Sequence, residues 1–203
     1  SWNIKTTAGN QVNAKAIFIA AGCGAFCPNR PPLADIESYE DKSVFYMVAD
    51  KEKFRDKNVV IAGGGDSAVD WALSLSSIAK KVYVVHRRDK FRAAPESVSQ
   101  MKKLAEEGKI EMVIPYQLDS LAGEDGQLRE VIVTTLDGEK KALEADILLP
   151  FFGLAMELGP IADWDLNLNK NHIDVDVATQ QTNQSGMYAI GDIATYPGKL
   201  KLI

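Results

Sequence analysis

Residues 58–85 restrict the possible folds of this chain more than any other stretch. Asn58-Val59-Val60-Ile61-Ala62 is apolar without alternation after its first residue, the pattern of a strand buried on both faces. It runs into Gly63-Gly64-Gly65-Asp66-Ser67-Ala68. Over 67–80, Ala68, Val69, Trp71, Ala72, Leu75, Ile78 and Ala79 recur at spacings of three and four, which predicts an amphipathic helix. Lys81-Val82-Tyr83-Val84-Val85 is a second apolar strand. Strand, glycine turn, helix and strand form one βαβ unit of about 30 residues, with both strands parallel in one sheet. The chain is therefore read as α/β, with a Rossmann-like domain at its centre.

The glycine loop has a chemical reading in that setting. Gly63 permits a tight exit from the strand, Gly64 continues the turn, and Gly65 lets backbone approach a pyrophosphate where a Cβ would intrude. Ala68 takes the place of a third glycine and allows close helix–strand packing. A helix starting near Ser67, just past Asp66, directs free N–H groups and its positive end toward phosphates. The end of the second strand then selects the dinucleotide. An NAD site usually carries an acid about 20 residues past the loop, bonded to the ribose 2′-hydroxyl. Here that place holds His86-Arg87-Arg88, with Arg92 close behind. Guanidinium groups match a 2′-phosphate in charge and in forked hydrogen bonds. Asp89 lies between them and is read as orienting them.

Around this unit the pattern gives strands at 2–7 and 11–20, and a Pro-rich, acidic connection over 27–43. A helix is expected at 95–107, with Pro95 at its start and Gly108 past its end. A strand follows at 110–114. Strands at 117–121, 131–135 and 141–143, with the turns Asp125-Gly126 and Asp137-Gly138, form an antiparallel β-meander. A buried strand at 147–152 leads to Gly153, and short strands at 172–177 and 187–190 lead to Gly191-Asp192.

Composition excludes several classes. The net charge is −5, which disfavours nucleic acid, since counterion release needs a large basic surface. No apolar run approaches the roughly 20 residues of a membrane span. The first 20 residues show no secretion signal, and Cys23 and Cys27 are too few for a disulfide scaffold, so the expected location is cytoplasmic. The two cysteines read as reduced thiols outside any redox motif. No metal-ligand cluster is present. Of the two histidines, His86 goes to the nucleotide site and His172 to a surface turn. A short-chain dehydrogenase would need Tyr-x-x-x-Lys, and none of the six tyrosines has Lys four positions on.

Gly-Gly-Gly-Asp-Ser-Ala-Val-Asp-Trp-Ala at 63–72 and His-Arg-Arg-Asp-Lys-Phe-Arg-Ala at 86–93 resemble the NADPH domain of thioredoxin-reductase-type flavoenzymes. Ala20-Ala21-Gly22 resembles the small-residue turn that ends a strand of that family's FAD domain. Gly186-Met187-Tyr188-Ala189-Ile190-Gly191-Asp192 resembles its second FAD motif. The resemblance implies that Arg87, Arg88 and Arg92 hold the 2′-phosphate and that Asp192, after Gly191, bonds the flavin's ribityl chain. Gly153 is counted with the cofactor-contacting residues. Family members of the thioredoxin reductase kind carry C-x-x-C shortly before the glycine loop, but residues 44–50 contain no cysteine. That absence, together with Asp66-Ser67-Ala68-Val69-Asp70-Trp71 after the glycines and Tyr196-Pro197-Gly198-Lys199-Leu200-Lys201-Leu202-Ile203 after Gly191-Asp192, is similar to ferredoxin–NADP reductases of the thioredoxin-reductase-like type.

The resemblance implies NADP(H) and FAD as cofactors, ferredoxin or flavodoxin as electron partner, and a homodimer. The cofactors carry the chemistry, so no catalytic acid or base is assigned. The expected domains are a partial FAD-binding domain at 1–41, an NADPH-binding domain at 42–155 and a second partial FAD-binding piece at 156–203. Both ends read as cut from a longer chain, and the unit gripping the ADP half of FAD would precede residue 1. The piece by itself is expected to bind NADP(H) without catalysing electron transfer. Two alternatives stay open: a thioredoxin reductase-like protein without a redox dithiol, and a non-catalytic NADP-binding module.

Overall fold

The computed structural model describes residues 1–22 and 24–199, with side chains described for all of these except 25–27 and 154–156. Cys23, the Cys27 side chain and the motif residues 200–203 lie outside the described residues. The chain divides into two compact units, Pro28–Gly153, and Ser1–Cys27 with Leu154–Ile203.

The first of these units is built on a four-stranded parallel sheet. Its strands are β1 (Asn58–Ala62), β2 (Lys81–Val85), β3 (Ile110–Val113) and, after three further strands, β7 (Ile147–Pro150). The spatial order is β7-β1-β2-β3, and every pairing is parallel. The sequence places β1, β2 and β3 successively to one side and then returns to β7 on the other, so the direction of winding reverses between β1 and β7. In open α/β sheets that reversal opens a crevice at the C-terminal strand ends. Helices α1 (Asp66–Leu75) and α2 (Pro95–Glu106) connect β1 to β2 and β2 to β3. The meander β4 (Gln117–Glu124), β5 (Gln127–Thr134) and β6 (Lys140–Glu144) is antiparallel throughout.

Strand alternation sorts β1 into two cores. Val59 and Ile61 face Ala68, Val69, Ala72 and Leu75 of α1 and Met101 of α2. Val60 and Ala62 face the other side, with Leu128, Val131 and Val133 of the meander and Leu143 of β6. All five β1 residues are buried, as the unalternating apolar run predicts.

In this unit two expected elements are placed differently. The stretch 28–41, assigned from the sequence to a first partial domain as part of a surface connection, packs inside the Pro28–Gly153 unit. Leu33, Ile36 and Tyr39 are buried there beside Val44 and Val60. Pro32 and the acids Asp35, Glu37 and Asp41 mark the exposed side of this segment, and its apolar residues supply one edge of the core. The helix expected over 67–80 ends at Leu75. Beyond it Ser76 and Ser77 donate their hydroxyls back to the carbonyls of Leu73 and Ser74, and such local bonds favour a helix end. Ile78 and Ala79 then fold under as a turn on the Leu75 carbonyl.

Ser43 joins the 28–44 segment to the meander. Its hydroxyl donates to Gly126 O (3.1 Å) and accepts from Leu128 N–H (3.0 Å), and the residue is 1% exposed. Ser43→Ala would leave both backbone groups buried without that partner. The expected cost is about 2 kcal/mol of stability, measurable by urea unfolding with an unchanged m-value. A loss below about 0.5 kcal/mol would show that the junction does not depend on this hydroxyl.

In the second unit, Trp2–Lys5 and Gln11–Ala14 form a hairpin, while Ile17–Ile19 pairs in parallel with Met187–Ala189. The single strand expected over 11–20 is thus two, one committed to the hairpin and the other to a distant strand. His172–Asp174 pairs with Leu168–Asn169 and with Ala194–Thr195, so His172 lies on a strand at the Lys170–Asn171 turn. Ile19, Leu158, Leu166, Ile173, Met187, Ala189 and Ile193 form the core of this unit.

Candidate functional site

The C-terminal ends of β1, β2 and β7 meet at the glycine loop, and the three glycines are there for different reasons. Gly63 has φ +155°, and a Cβ on it would lie 2.8 Å from the Phe151 carbonyl oxygen and 3.1 Å from the Ala68 Cβ. Close approach to the end of β7 and to the first turn of α1 therefore requires glycine at 63 and a small residue at 68. A Cβ on Gly64 would collide with the His86 imidazole, which covers that residue. Gly65 is unlike both. Its backbone is extended (φ −98°, ψ 179°), a conformation any residue adopts, and nothing lies within 4 Å of where its Cβ would be. Neither backbone strain nor packing within the chain calls for glycine at 65. The open space adjoins the start of α1, whose first N–H groups have no carbonyl partner within the helix. Asp66 and Ser67 are exposed at that start, and Ala68 is buried.

The second wall is the loop 86–94. His86 N–H donates to Val113 O, and His86 O accepts from Tyr116 N–H, both at 3.2 Å. The imidazole packs against the Phe91 ring, 4.9 Å between centroids. Partial burial lowers its pKa, the Lys90 carbonyl opposes that shift, and the charges of Arg87, Arg92 and Arg88 add to it. The ring's pKa is therefore held below the ordinary histidine value. Two bonds fasten the far end of the loop: Arg92 N–H donates to Gly64 O (2.7 Å), and Ala94 N–H donates to Asp66 Oδ1 (2.8 Å).

Arg87, Arg88 and Arg92 are exposed on this loop. The chain has three other arginines, and each makes an ion pair with a glutamate: Arg30 with Glu37 and Glu40, Arg55 with Glu52, Arg129 with Glu124. Among the described residues, the three of the 86–92 loop make none. A cluster of unpaired guanidinium groups next to free helix N–H groups is a place for an anion carrying more than one phosphate.

Gly153 follows β7 with φ +83°, and its carbonyl accepts from Asn29 N–H (3.0 Å). Asn29 Nδ2 also donates to Phe152 O (3.2 Å). Ten of the predicted site residues thus cluster around the glycine loop, and Gly153 lies two residues past Phe151 at the end of β7. Gly191 and Asp192 lie in the other unit. There Gly191 has φ +79°, and Lys199 Nζ donates to the carbonyls of Gly191 (3.0 Å), Asp192 (3.3 Å) and Ala194. The lysine fixes this turn through its backbone, and the Asp192 side chain stays exposed. Sequence reasoning did not single out Phe91, Phe151, Ala94 or the role of Lys199. Of these only Phe91, an apolar residue inside a basic loop, left a signal.

Comparison with known proteins agrees with this geometry. Residues 3–202 match the family described as pyridine nucleotide-disulphide oxidoreductase. The chain is 61% identical over 202 residues to a ferredoxin–NADP reductase of Rickettsia canadensis, covering 100% of this chain and 60% of that protein. It is 58% identical over 203 residues to a ferredoxin–NADP reductase of Rhodospirillum rubrum, covering 59% of it. The chain thus spans about 60% of the length of the curated relatives it matches. Among solved structures, T. acidophilum thioredoxin reductase superposes with a TM-score of 0.80 at 26% identity, over 95% of this chain and 62% of the other. Lactococcus lactis thioredoxin reductase gives 0.77 at 26% identity, over 92% and 60%. By fold, by glycine loop and by a match across almost its whole length, the chain belongs to the pyridine nucleotide-disulphide oxidoreductase family.

Proposed function

We propose that this chain is the NADPH-binding part of a flavin-dependent reductase that moves electrons between NADP(H), FAD and ferredoxin or flavodoxin. The observation that carries this reading is the group of unpaired arginines fastened beside an open glycine at the start of α1. In this reading Gly63, Gly64, Gly65, Asp66, Ser67 and Ala68 form the pyrophosphate turn. Arg87, Arg88 and Arg92 receive the 2′-phosphate, and the His86 ring covers the turn at Gly64. Gly153 borders the cofactor at the end of β7. The residues on hand fit the cofactor, because the one glycine without an internal reason faces the helix N-terminus.

The Pro28–Gly153 unit is the NADPH domain, and the other unit is part of an FAD domain. Its exposed Asp192 carboxylate, on a turn held by Lys199, is suited to accept hydrogen bonds from ribityl hydroxyls. When bound, nicotinamide and flavin supply the hydride and one-electron chemistry; this chain's residues bind and orient them. The family resemblance also carries a homodimer, and two cysteines, too few for a disulfide scaffold, favour a cytoplasmic location. No helix among the described residues is long and apolar enough to cross a membrane.

The electron acceptor follows from residues 44–50, Val44-Phe45-Tyr46-Met47-Val48-Ala49-Asp50, which offer no dithiol to a disulfide substrate. The full-length protein with NADPH is expected to reduce ferredoxin or flavodoxin. It should not support disulfide reduction through thioredoxin. Assaying both acceptors side by side decides the matter, and equal rates would reject this acceptor assignment.

A further inference from the structure

An acid at the start of α1 poses an electrostatic problem. Next to a turn read as a pyrophosphate site, the Asp66 carboxylate repels the ligand that the helix N-terminus attracts. Its geometry gives it another task. Oδ1 accepts the Ala94 N–H at 2.8 Å, and Ala94 is the residue that caps the start of α2. One residue pair away, Arg92 N–H is bonded to Gly64 O at 2.7 Å. The loop from His86 to Ala94 is thus tied at its distal end to the glycine turn by two bonds, one of them through a side chain. Arg87, Arg88 and Arg92 all lie within the tied segment.

We infer that Asp66 is a positioning residue for cofactor choice: it latches the start of α2 to the start of α1 and so holds the arginine loop beside Gly65. Its backbone belongs to the pyrophosphate turn, but its carboxylate acts on NADP(H) through the loop, being engaged by Ala94 N–H. This rests on the proposed NADP(H) reading of the site. Simple charge and latch give opposite signs. Removing a repulsive carboxylate should tighten phosphate binding, whereas removing a latch should loosen the 2′-phosphate contacts and leave the rest of the dinucleotide alone.

The test is calorimetric titration of NADP+ and of NAD+ into the full-length protein and its variants. Asp66→Ala is expected to weaken NADP+ about fivefold and NAD+ by less than about twofold. Asp66→Asn, whose amide oxygen can still accept the Ala94 N–H, should recover most of the loss. Ala94→Pro deletes the donor and keeps the acid. Its backbone (φ −53°, ψ 131°) suits proline, and it should reproduce the Asp66→Ala pattern. Tighter NADP+ binding in Asp66→Ala, equal losses for both cofactors, or an Ala94→Pro variant that behaves as wild type would overturn the latch. Arg87→Ala is the control. If it lowers NADP+ affinity while Asp66→Ala does not, the latch alone fails. If it also leaves NADP+ affinity unchanged, the NADP(H) reading fails and the latch with it.

Discussion

Gly65→Ser is expected to remove most dinucleotide binding while leaving the protein as stable as before, or slightly more stable. The two effects have separate causes. Position 65 is the N-cap of α1, with an extended backbone and no neighbour within 4 Å of a Cβ. Serine is a preferred N-cap, because its hydroxyl accepts a hydrogen bond from the second or third N–H of the helix. The fold should gain a few tenths of a kcal/mol. A pyrophosphate needs the same N–H groups and the space that the new Cβ and hydroxyl would fill. Affinity for NADP+ and NAD+ should both fall by about 100-fold, or about 2.7 kcal/mol, since the two share the pyrophosphate. Thermal unfolding and titration on the same preparation read out both. Wild-type affinity in Gly65→Ser would mean that the turn holds no phosphate.

The double variant Arg87→Ala/Arg88→Ala should show the complementary pattern, a large loss for one cofactor only. A charge-assisted phosphate contact contributes about 1.5–3 kcal/mol. Both side chains are exposed, so screening keeps each near the lower end, about tenfold in affinity. Together they should weaken NADP+ about 100-fold and NAD+ by less than about twofold. The wild-type preference for NADP+ should also shrink as salt rises from 50 to 500 mM, about the range over which screening of exposed charges becomes strong. A double variant that still prefers NADP+ would move the 2′-phosphate away from this loop. Equal losses for the two cofactors would place the arginines on the shared pyrophosphate instead.

The parts of this protein legible in its sequence are those governed by local periodicity. β1 and β2 occupy residues 58–62 and 81–85, as their apolar runs predict, because past the leading Asn58 or Lys81 every position of a strand buried on both faces is apolar. α2 begins at Pro95 and ends one residue before the expected limit, since proline and glycine act on their own backbone. The meander was legible from its Asp-Gly turns for the same reason. The glycine loop and the basic loop were visible as motifs, and the structure brings them together.

Other features depended on partners far along the chain. Nothing local in residues 28–41 shows that Leu33, Ile36 and Tyr39 complete a core with the sheet and meander. The split of 11–20 into two strands was decided by Met187–Ala189, some 170 residues away. The glycines make the distinction sharpest. The motif alone gives Gly63 the strand exit and Gly65 the phosphate approach, but names no neighbour for any of the three. Only the tertiary structure sets Phe151 against the first and His86 over the second, and leaves the third open. Likewise the sequence alone placed an acid at 66 and arginines at 87, 88 and 92. That the acid is bonded to Ala94 N–H, 28 residues on, was decided by the packing of two helices against one sheet, since a hydrogen bond depends on distance in space and not on separation along the chain.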